Sequence, residues 1–267
     1  MARVPYDSDP NDQEWTCIAP YVTQKVGPGR KRTINIREVV NALCYMAKTG
    51  CQWRMLPHDF PPWQHVAYYY YQWIADGTLE HINDCLREEI RIALNRDPEP
   101  SVAILDSQSV KTVSHGEERG YDGGKQVKGR KRHLIVDSLG LLILVLVTAA
   151  SVQDSDAGQE VLIDVKAKTS RLEKVYADQG YKAWIVEWIA QWQTFILEIV
   201  TKPPEQRGFQ VHPKRWIVER TFAWFGNYRR LSKDYERNVA SSEGMIRIAS
   251  MHLMARKLAR LRPNTNS

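Results

Sequence analysis

Apolar residues in the first hundred positions recur at the spacing of α-helices. From Ile36 to Ala47 they return every three or four positions, which predicts a helix with one buried face that Thr49-Gly50 ends. Pro61-Pro62 opens a second predicted helix, Trp63 to Ile74, and Leu79 to Leu94 has the spacing of a third. Two short helices joined by a tight segment and followed by a third predict a compact all-α domain of the helix-turn-helix kind.

After the proline-punctuated stretch Asn95 to Pro100, the pattern changes to short apolar runs. Val102 to Asp106, His133 to Asp137 and Leu141 to Val147 predict strands, with a basic loop between the first two. Further along the chain, the pattern predicts a helix, a strand, a helix, a strand and a final helix: Asp156 to Ser170, Val175 to Asp178, Ala183 to Trp192, Phe195 to Thr201, and a helix opened by Pro213. This order predicts an α/β fold with a mixed sheet. The predicted domains are residues 1–97, 98–262 and a tail, 263–267.

Six aromatic rings are concentrated between Trp63 and Trp73, including the run Tyr68 to Tyr71. Rings of this kind can stack on nucleic acid, but they also fill the core of a small helical domain. We expect about two of the six to face solvent and the others to form the core.

Composition excludes several classes of protein. With 267 residues, 43% hydrophobic and 25% charged, the chain is typical of a globular protein and not of a disordered one. Its longest apolar run, Leu139 to Ala150, is too short to span a bilayer, and no secretory signal is evident, so we expect a cytoplasmic protein without membrane partners. The four cysteines form no C-x-x-C pair, which argues against a zinc site or a disulfide framework.

Positive charge is concentrated in two segments. Residues 202–262 contain 14 Lys and Arg against 5 Asp and Glu. Residues 119–132 contain six Lys and Arg against Asp122 alone. Clustered positive charge predicts a polyanionic partner, although any one basic run can equally be a solvated surface.

Three carboxylates are candidates for chemistry. Asp106 and Asp178 each follow a short apolar run and are predicted at strand ends, where α/β folds gather their functional groups. Asp137, by contrast, lies in an evident turn between two strands, and a turn role is sufficient there. Glu219 lies on the last predicted helix, one turn after Arg215, with which it can form a surface ion pair.

If these three acids converge, they form a site for hard divalent cations, which prefer oxygen ligands. Two such ions can stabilise the attacking and leaving oxygens of a phosphodiester displacement, so that the protein needs no nucleophile of its own. The glycines from Gly120 to Gly129 match neither the phosphate-binding loop nor the dinucleotide fingerprint.

Long stretches of the chain resemble DDE transposases of bacterial insertion sequences, of the insertion-sequence-five type. The similar segments are Leu105 to Thr112, Arg119 to Lys125, Lys128 to His133, Ala177 to Tyr181, Trp216 to Trp224 with Arg229-Arg230-Leu231 and Asp234-Tyr235-Glu236, and, in the N-terminal region, Thr49 to Pro57 with Trp73 and Asp76-Gly77. The resemblance covers nearly the whole chain in order.

The resemblance implies an RNase H-like catalytic domain, and it assigns Asp106, Asp178 and Glu219 as the catalytic residues and metal ligands. It also implies two Mg²⁺ ions, with Mn²⁺ as a substitute. One signature departs from the family: Arg215 fits its Arg, but His212 stands at its Tyr position and Gly226 at its Lys position. A hairpin intermediate, which is linked to that signature, is therefore not implied.

The sequence thus predicts a transposase that binds terminal inverted repeats through its helical domain, cleaves the ends and joins the 3′-OH to target DNA. The predicted partners are double-stranded end and target DNA, with a homodimer forming on DNA. The predicted DNA contacts are basic: Lys111, Arg119, Lys125, Lys128, Arg130, Lys131, Arg132, His133, Arg215, Arg220, Arg229 and Arg230. Two alternatives stay open, a nuclease of the same fold without strand transfer and a domesticated DNA-binding protein.

Overall fold

A computed structural model describes residues 3–22, 34–113, 116–181, 183–200 and 214–262. The chain forms two compact units. One, called here the helical unit, holds residues up to Arg96 together with 227–232 and the chain from Gly244 onward. The other, the sheet unit, holds 97–226 and 233–243. Across the described residues, no helix is long and apolar enough to cross a membrane.

The helical unit contains α1 (Asp12–Ile18), α2 (Ile36–Thr49), α3 (Trp63–Ala75) and α4 (Thr78–Ala93). The three helices predicted from sequence are α2, α3 and α4, while α1 was not predicted. The side chain of Asn35 caps α2 by accepting a hydrogen bond from the backbone of Arg37. Gly50 ends the helix in the left-handed conformation with φ of 73°, which glycine adopts without strain.

Three of the six aromatic rings fill the core of the helical unit, and Trp63 is half-buried. Tyr69, Tyr70 and Trp73 are buried, whereas Tyr68 and Tyr71 are exposed. The expectation that about two of the six rings face solvent is confirmed.

Two segments from the C-terminal part of the chain belong to the helical unit, although the sequence-based boundary placed them in the 98–262 domain. Helix α8 (Val239–Leu261) contributes the residues from Gly244 onward. A Cβ atom at position 244 would lie 2.6 Å from Ile74, so glycine permits this close packing. In the other segment, Arg230 donates a hydrogen bond to the carbonyl of Cys51 at 3.0 Å.

The sheet unit is built on six strands: β1 (Val102–Lys111), β2 (Gly120–Asp122), β3 (Val127–Asp137), β4 (Leu142–Ala149), β5 (Lys174–Ala177) and β6 (Ile196–Ile199). Strands β1, β3 and β4 are antiparallel, and β5 and β6 run parallel to β1, with β2 pairing β3. This mixed order, with helices as crossovers, is the RNase H-like arrangement that the resemblance implied. The predicted fold class is confirmed.

Helices α5 (Asp154–Lys168) and α6 (Ala183–Trp192) pack with one side of the sheet to form the core of the unit. Alternate residues of β1, Ala103 and Leu105, enter that core. Because side chains alternate across a strand, Asp106 points to the opposite face. The last helix of the unit, α7 (Arg215–Gly226), packs against β1 and β3.

Two predictions about strands are wrong. Strand β1 does not end at Asp106 but continues to Lys111, paired with β3 along its length. The predicted basic loop is largely strand as well, since β2 and most of β3 lie in it. Polar side chains are tolerated on these strands because they bond one another: Ser109 Oγ, for example, donates to Asp122 Oδ2 at 2.5 Å. Of the last predicted strand and helix, Thr201 and Pro213 lie outside the described residues.

The predicted turn at Asp137 is confirmed. Its buried carboxylate accepts hydrogen bonds from the backbone N–H groups of Leu139 and Leu141, each at 2.9 Å. Gly140 takes φ of 81° in that turn. This aspartate therefore shapes the β3–β4 connection.

Candidate active site

Two of the three candidate carboxylates lie on neighbouring parallel strands. Asp106 is in the middle of β1, two residues after Ile104, which pairs with Tyr176 of β5. Asp178 follows β5 directly, as predicted, and also organises a turn, since its Oδ1 accepts the N–H of Gly180 at 2.9 Å. Because β1 and β5 are neighbouring strands, Asp106 in the middle of β1 and Asp178 at the end of β5 lie in the same region of the sheet.

Burial and like charge disfavour ionisation of Asp106. Burial, followed by the negative charge of Asp178, raises the pKa of Asp106 to about 6. The N–H of Ser107, which donates to Asp106 Oδ1 at 2.8 Å, and the cations Arg215 and Lys125 act in the opposite direction. A buried carboxylate next to another carboxylate is costly, and a bound cation would relieve that cost.

Glu219 joins the site through Arg215. The guanidinium Nη2 of Arg215 lies 3.8 Å from Asp178 Oδ2 and 3.5 Å from Glu219 Oε1. Arg215 and Glu219 are one turn apart on α7, as predicted, and the Glu219 side chain is about half exposed. All three acids therefore border one region, with Arg215 between Asp178 and Glu219. The Tyr-like position of the family signature, His212, lies outside the described residues.

A fourth carboxylate, Asp154, also borders this region. Asp154 lies in the first turn of α5, directly after the N-cap residue Gln153. Asp154 Oδ1 accepts hydrogen bonds from Ser107 Oγ at 2.9 Å and from Lys131 Nζ at 3.0 Å. No spacing signal distinguishes such a residue from a helix cap, because its partners come from β1 and β3.

The residues present fit a hard divalent cation in ligand type and charge. Asp106 and Asp178 offer carboxylate oxygens and carry mutual repulsion that a cation would offset. Glu219 is turned toward Arg215, and within the described part of the chain no three His, Cys, Asp or Glu side chains are already gathered around one ion position. Asp106 and Asp178 are therefore the better-prepared ligands, and Glu219 would have to exchange its ion pair.

Four of the predicted DNA contacts are buried in the sheet unit: Arg130, Lys131, Arg132 and His133. Arg130 is fully enclosed, paired with Asp234 at 3.2 Å, and it donates to the carbonyls of Glu117, Glu236 and Arg237. Lys131 contacts Asp154 and the carbonyl of Val152. In this structure these four side chains are buried within the sheet unit and do not face the solvent from which DNA would bind.

Three further predicted contacts are also engaged by the protein. Arg220 donates to the carbonyl of Leu139 at 3.0 Å and lies over the rings of Trp216 and Trp224. Arg230 is buried in the helical unit. Lys125 is exposed, but its Nζ donates to the carbonyl of Ser107 at 3.1 Å, which holds its charge near Asp106.

The remaining basic candidates lie on the surface. Lys111, Arg119 and Lys128 are exposed and, with the exposed ring of Tyr121, line a groove of about 340 Å³ in the sheet unit. Arg229 is exposed on the helical unit. A groove lined by three cations and an aromatic ring has the charge to attract a phosphate backbone.

Comparison with known proteins identifies both parts of the chain. The family model described as "Transposase DDE domain" matches residues 97–254, and one described as "Putative transposase of IS4/5 family" matches residues 11–83. The first match spans Asp106, Asp178 and Glu219.

Curated relatives are similar over less than half of this chain. The "Putative transposase for insertion sequence element IS402" of Burkholderia cepacia is 28% identical over 116 residues, 41% of this chain and 54% of that protein. The "Uncharacterized protein y4sN" of Sinorhizobium fredii is 28% identical over 118 residues, 44% of this chain and 84% of that protein. The match thus spans about half the length of the Burkholderia transposase.

Among solved structures, the "Crystal structure of the Mos1 Strand Transfer Complex" aligns with 89% of this chain and 81% of its own, at 12% identity and a TM-score of 0.24. A likeness at that score carries no argument about the site. The family match is different in kind, because it covers more than half of the chain and includes all three candidate acids. This protein belongs to the transposase DDE domain family of bacterial insertion sequences.

Proposed function

We propose that this transposase binds the terminal inverted repeats of its element, hydrolyses the DNA at each end, and joins the freed 3′-OH to target DNA by transesterification. The observation that carries the proposal is the pairing of Asp106 with Asp178 beside the Arg215–Glu219 ion pair.

In this proposal Asp106, Asp178 and Glu219 hold two Mg²⁺ ions, for which Mn²⁺ can substitute. When bound, such ions lower the pKa of an attacking water or hydroxyl and neutralise charge that develops on the transferred phosphate. The proposal is supported by the ligand chemistry of the acids and by the electrostatic cost of keeping Asp106 and Asp178 together without a cation.

The neighbouring cations have separate roles in the proposal. Once Glu219 takes a ligand role, the guanidinium of Arg215 is released to bind oxygens of the scissile phosphate, which its planar fork can do bidentately. Lys125, anchored on the Ser107 carbonyl, keeps a positive charge at the same place. Both side chains would orient the DNA strand, and neither needs to exchange a proton.

The DNA path that we propose follows the exposed groove of Lys111, Arg119, Tyr121 and Lys128. Cations there would contact phosphates and raise affinity without regard to sequence. Recognition of the inverted repeat is assigned to the helical unit, whose helices α3 and α4 are joined by a short connection, as in DNA-reading helical domains. Two ends must be processed together, so we propose that two copies assemble on DNA.

The decisive experiment uses the inverted repeats that flank the reading frame as labelled duplexes. The wild-type protein with Mg²⁺ or Mn²⁺ should cut at the repeat end and, given pre-cut ends and a plasmid, should form joined products. Asp178→Asn should abolish cutting and joining but keep end binding in gel shifts within a few-fold. Cutting without joining would favour the nuclease alternative, and binding without cutting would favour the domesticated protein.

The DNA path has its own test. Lys111→Gln and Lys128→Gln should each weaken binding to any duplex and reduce the slope of log affinity against log salt by about 1. The matched control is Lys166→Gln, on α5, whose Nζ donates to the carbonyl of Ser170. Equal salt slopes in all three variants would remove the groove from the DNA path.

A further inference from the structure

Asp154 borders Asp106 and Asp178, which are called here the acidic pair. Unlike them, it is bonded to a serine and paired with a buried lysine. We infer that Asp154 is a positioning residue: it fixes both Ser107 on β1 and the Asp178-Gln179-Gly180 turn, and thereby sets how the carboxylates of Asp106 and Asp178 face an incoming cation. The inference rests on the proposed function, because it concerns the same acids.

The first connection runs through Ser107. Asp154 Oδ1 accepts the Ser107 hydroxyl at 2.9 Å, and the backbone N–H of the same serine donates to Asp106 Oδ1 at 2.8 Å. The side chains of Ser107 and Asp106 point to opposite faces of β1, so one residue links Asp154 on one side to Asp106 on the other. Asp154 therefore holds the residue that orients Asp106.

The second connection runs through Gly180. A Cβ atom at this position would lie 2.9 Å from Asp154 Oδ2 and 2.9 Å from Asp178 Oδ1. The two carboxylates thus flank one backbone position that only glycine can occupy without displacing them. The turn that carries Asp178 is packed directly against Asp154.

The charge of Asp154 is compensated by the protein itself. The buried Lys131 lies 3.0 Å from Asp154 Oδ1, and it also donates to the carbonyl of Val152 at 2.7 Å and lies 3.9 Å from Asp122 Oδ2. Among the described residues no lysine or arginine forms an ion pair with Asp106, and the pKa of Asp106 is raised even though Arg215 and Lys125 act against it. A carboxylate with its own lysine is suited to hold neighbours in place, whereas the acidic pair is suited to take up a cation.

Residues that contact metal ligands without binding the metal themselves orient those ligands. Loss of such contacts typically weakens metal affinity or activity by about 10- to 100-fold. We therefore expect Asp154→Asn to weaken Mn²⁺ binding to the DNA-free protein roughly 10- to 100-fold, measured by calorimetry or by the electron paramagnetic resonance of free Mn²⁺. The asparagine keeps the size of the side chain and an acceptor for Ser107, but it loses the charge that pairs with Lys131.

Two variants frame the measurement. Asp156→Asn removes an exposed carboxylate from the same turn of α5 and should bind Mn²⁺ like the wild type. Gly180→Ala keeps every acid but inserts a methyl group between Asp154 and Asp178, so it should weaken Mn²⁺ binding in the same direction. If Asp154→Asn does not fold, Gly180→Ala decides the question.

The outcomes separate this inference from the proposed function. If Asp106→Asn binds Mn²⁺ with the same affinity as the wild type, Mn²⁺ is not bound through these acids. That result overturns the proposed function. If Asp106→Asn weakens binding while Asp154→Asn and Gly180→Ala behave like Asp156→Asn, the positioning role is wrong and the proposed function stands. A lower melting temperature in Asp154→Asn with unchanged Mn²⁺ affinity also overturns the inference, because it assigns Asp154 to stability alone.

Discussion

The sheet unit buries charge in two contrasting ways on adjacent strands. On β3, Arg130 is enclosed with Asp234, and its guanidinium donates in addition to four backbone carbonyls. On β1, Asp106 is almost as buried, yet the charge that affects it most is that of another carboxylate, Asp178. The pair of Arg130 and Asp234 balances its charge within the protein and is called here the complete cluster. The acidic pair of Asp106 and Asp178 does not, and is called the incomplete cluster.

This difference separates structure from function among residues of similar burial. A buried ion pair with every donor used is neutral and rigid, so it can serve to fix the chain. Here it ties the 234–238 segment to β1 and β3, since the backbone of Asp234 also bonds Lys111. Like charges held together reduce stability and persist where a ligand relieves them. The acidic pair is therefore the better candidate for chemistry.

The largest expected effect is on the incomplete cluster. Asp106→Asn should lower the rate of DNA cleavage by roughly 10³-fold or more, because loss of a metal ligand removes several kcal/mol of transition-state stabilisation. The same change should leave the free energy of unfolding unchanged or raise it by about 1–3 kcal/mol, since it removes a buried charge that repels Asp178. Cleavage assays and urea denaturation measure the two effects, with Asp156→Asn as control. A large loss of stability would place Asp106 with the structural residues.

The complete cluster should respond in the opposite way. Arg130→Met should lower the free energy of unfolding by about 3–5 kcal/mol, because it leaves Asp234 buried without its partner. Arg130→Met combined with Asp234→Leu should cost less than the two changes added, as expected for one interacting pair. Denaturation of the four proteins completes the cycle. Additive losses would show that Arg130 and Asp234 act independently.

The same contrast explains which features could be predicted from sequence. Apolar periodicity predicted α2, α3, α4, α6 and the cores of β1, β3 and β4, because one buried face imposes a regular spacing. Asp178 was correctly placed after its strand, and the Arg215–Glu219 pair follows from helical spacing alone.

Contacts between distant segments could not be predicted from local pattern. Arg130 and Asp234 are 104 residues apart, so a basic run that serves the interior looked like a surface loop. The extension of β1 beyond Asp106 depends on polar partners from β3 and β2, and the role of Asp154 depends on Ser107. Polar residues follow no hydrophobic period, and their partners are known only once the sheet has formed.

His133 on β3, near these clusters, shows a third way in which a titratable group is buried, namely in its neutral form. Burial lowers the pKa of His133 to about 4. The negative charge of Asp154 acts against this shift, and the positive charges of Lys131 and Lys125 add to it. The ring of His133 is hydrogen-bonded to Thr148 Oγ1 at 3.1 Å. Below pH 6.5 the unfolded chain takes up a proton that the folded protein does not, so stability should fall between pH 6.5 and about 4, by up to roughly 3 kcal/mol.

His133→Gln should flatten that part of the stability curve, because glutamine keeps a polar group near Thr148 and does not titrate. The readout is the difference between variant and wild type at each pH, since His252 in the helical unit, with a pKa lowered to about 3 by burial, adds a slope of the same sign. Parallel curves would mean that His133 is protonated in the folded state, and thus paired with Asp154 in the manner of Arg130 with Asp234.

The smallest effect concerns a neutral group beside the acidic pair. Tyr181 is buried against α5, its hydroxyl has no hydrogen-bond partner among the described residues, and burial followed by the charges of Asp154, Asp106 and Asp178 raises its pKa. Tyr181→Phe keeps the ring and removes an unsatisfied polar atom, so the free energy of unfolding should rise by about 1 kcal/mol. A loss of stability in urea denaturation would instead mean that the hydroxyl donates to one of the three acids in solution. The acids would then have a donor within the protein, and their contrast with Arg130 and Asp234 would be weaker.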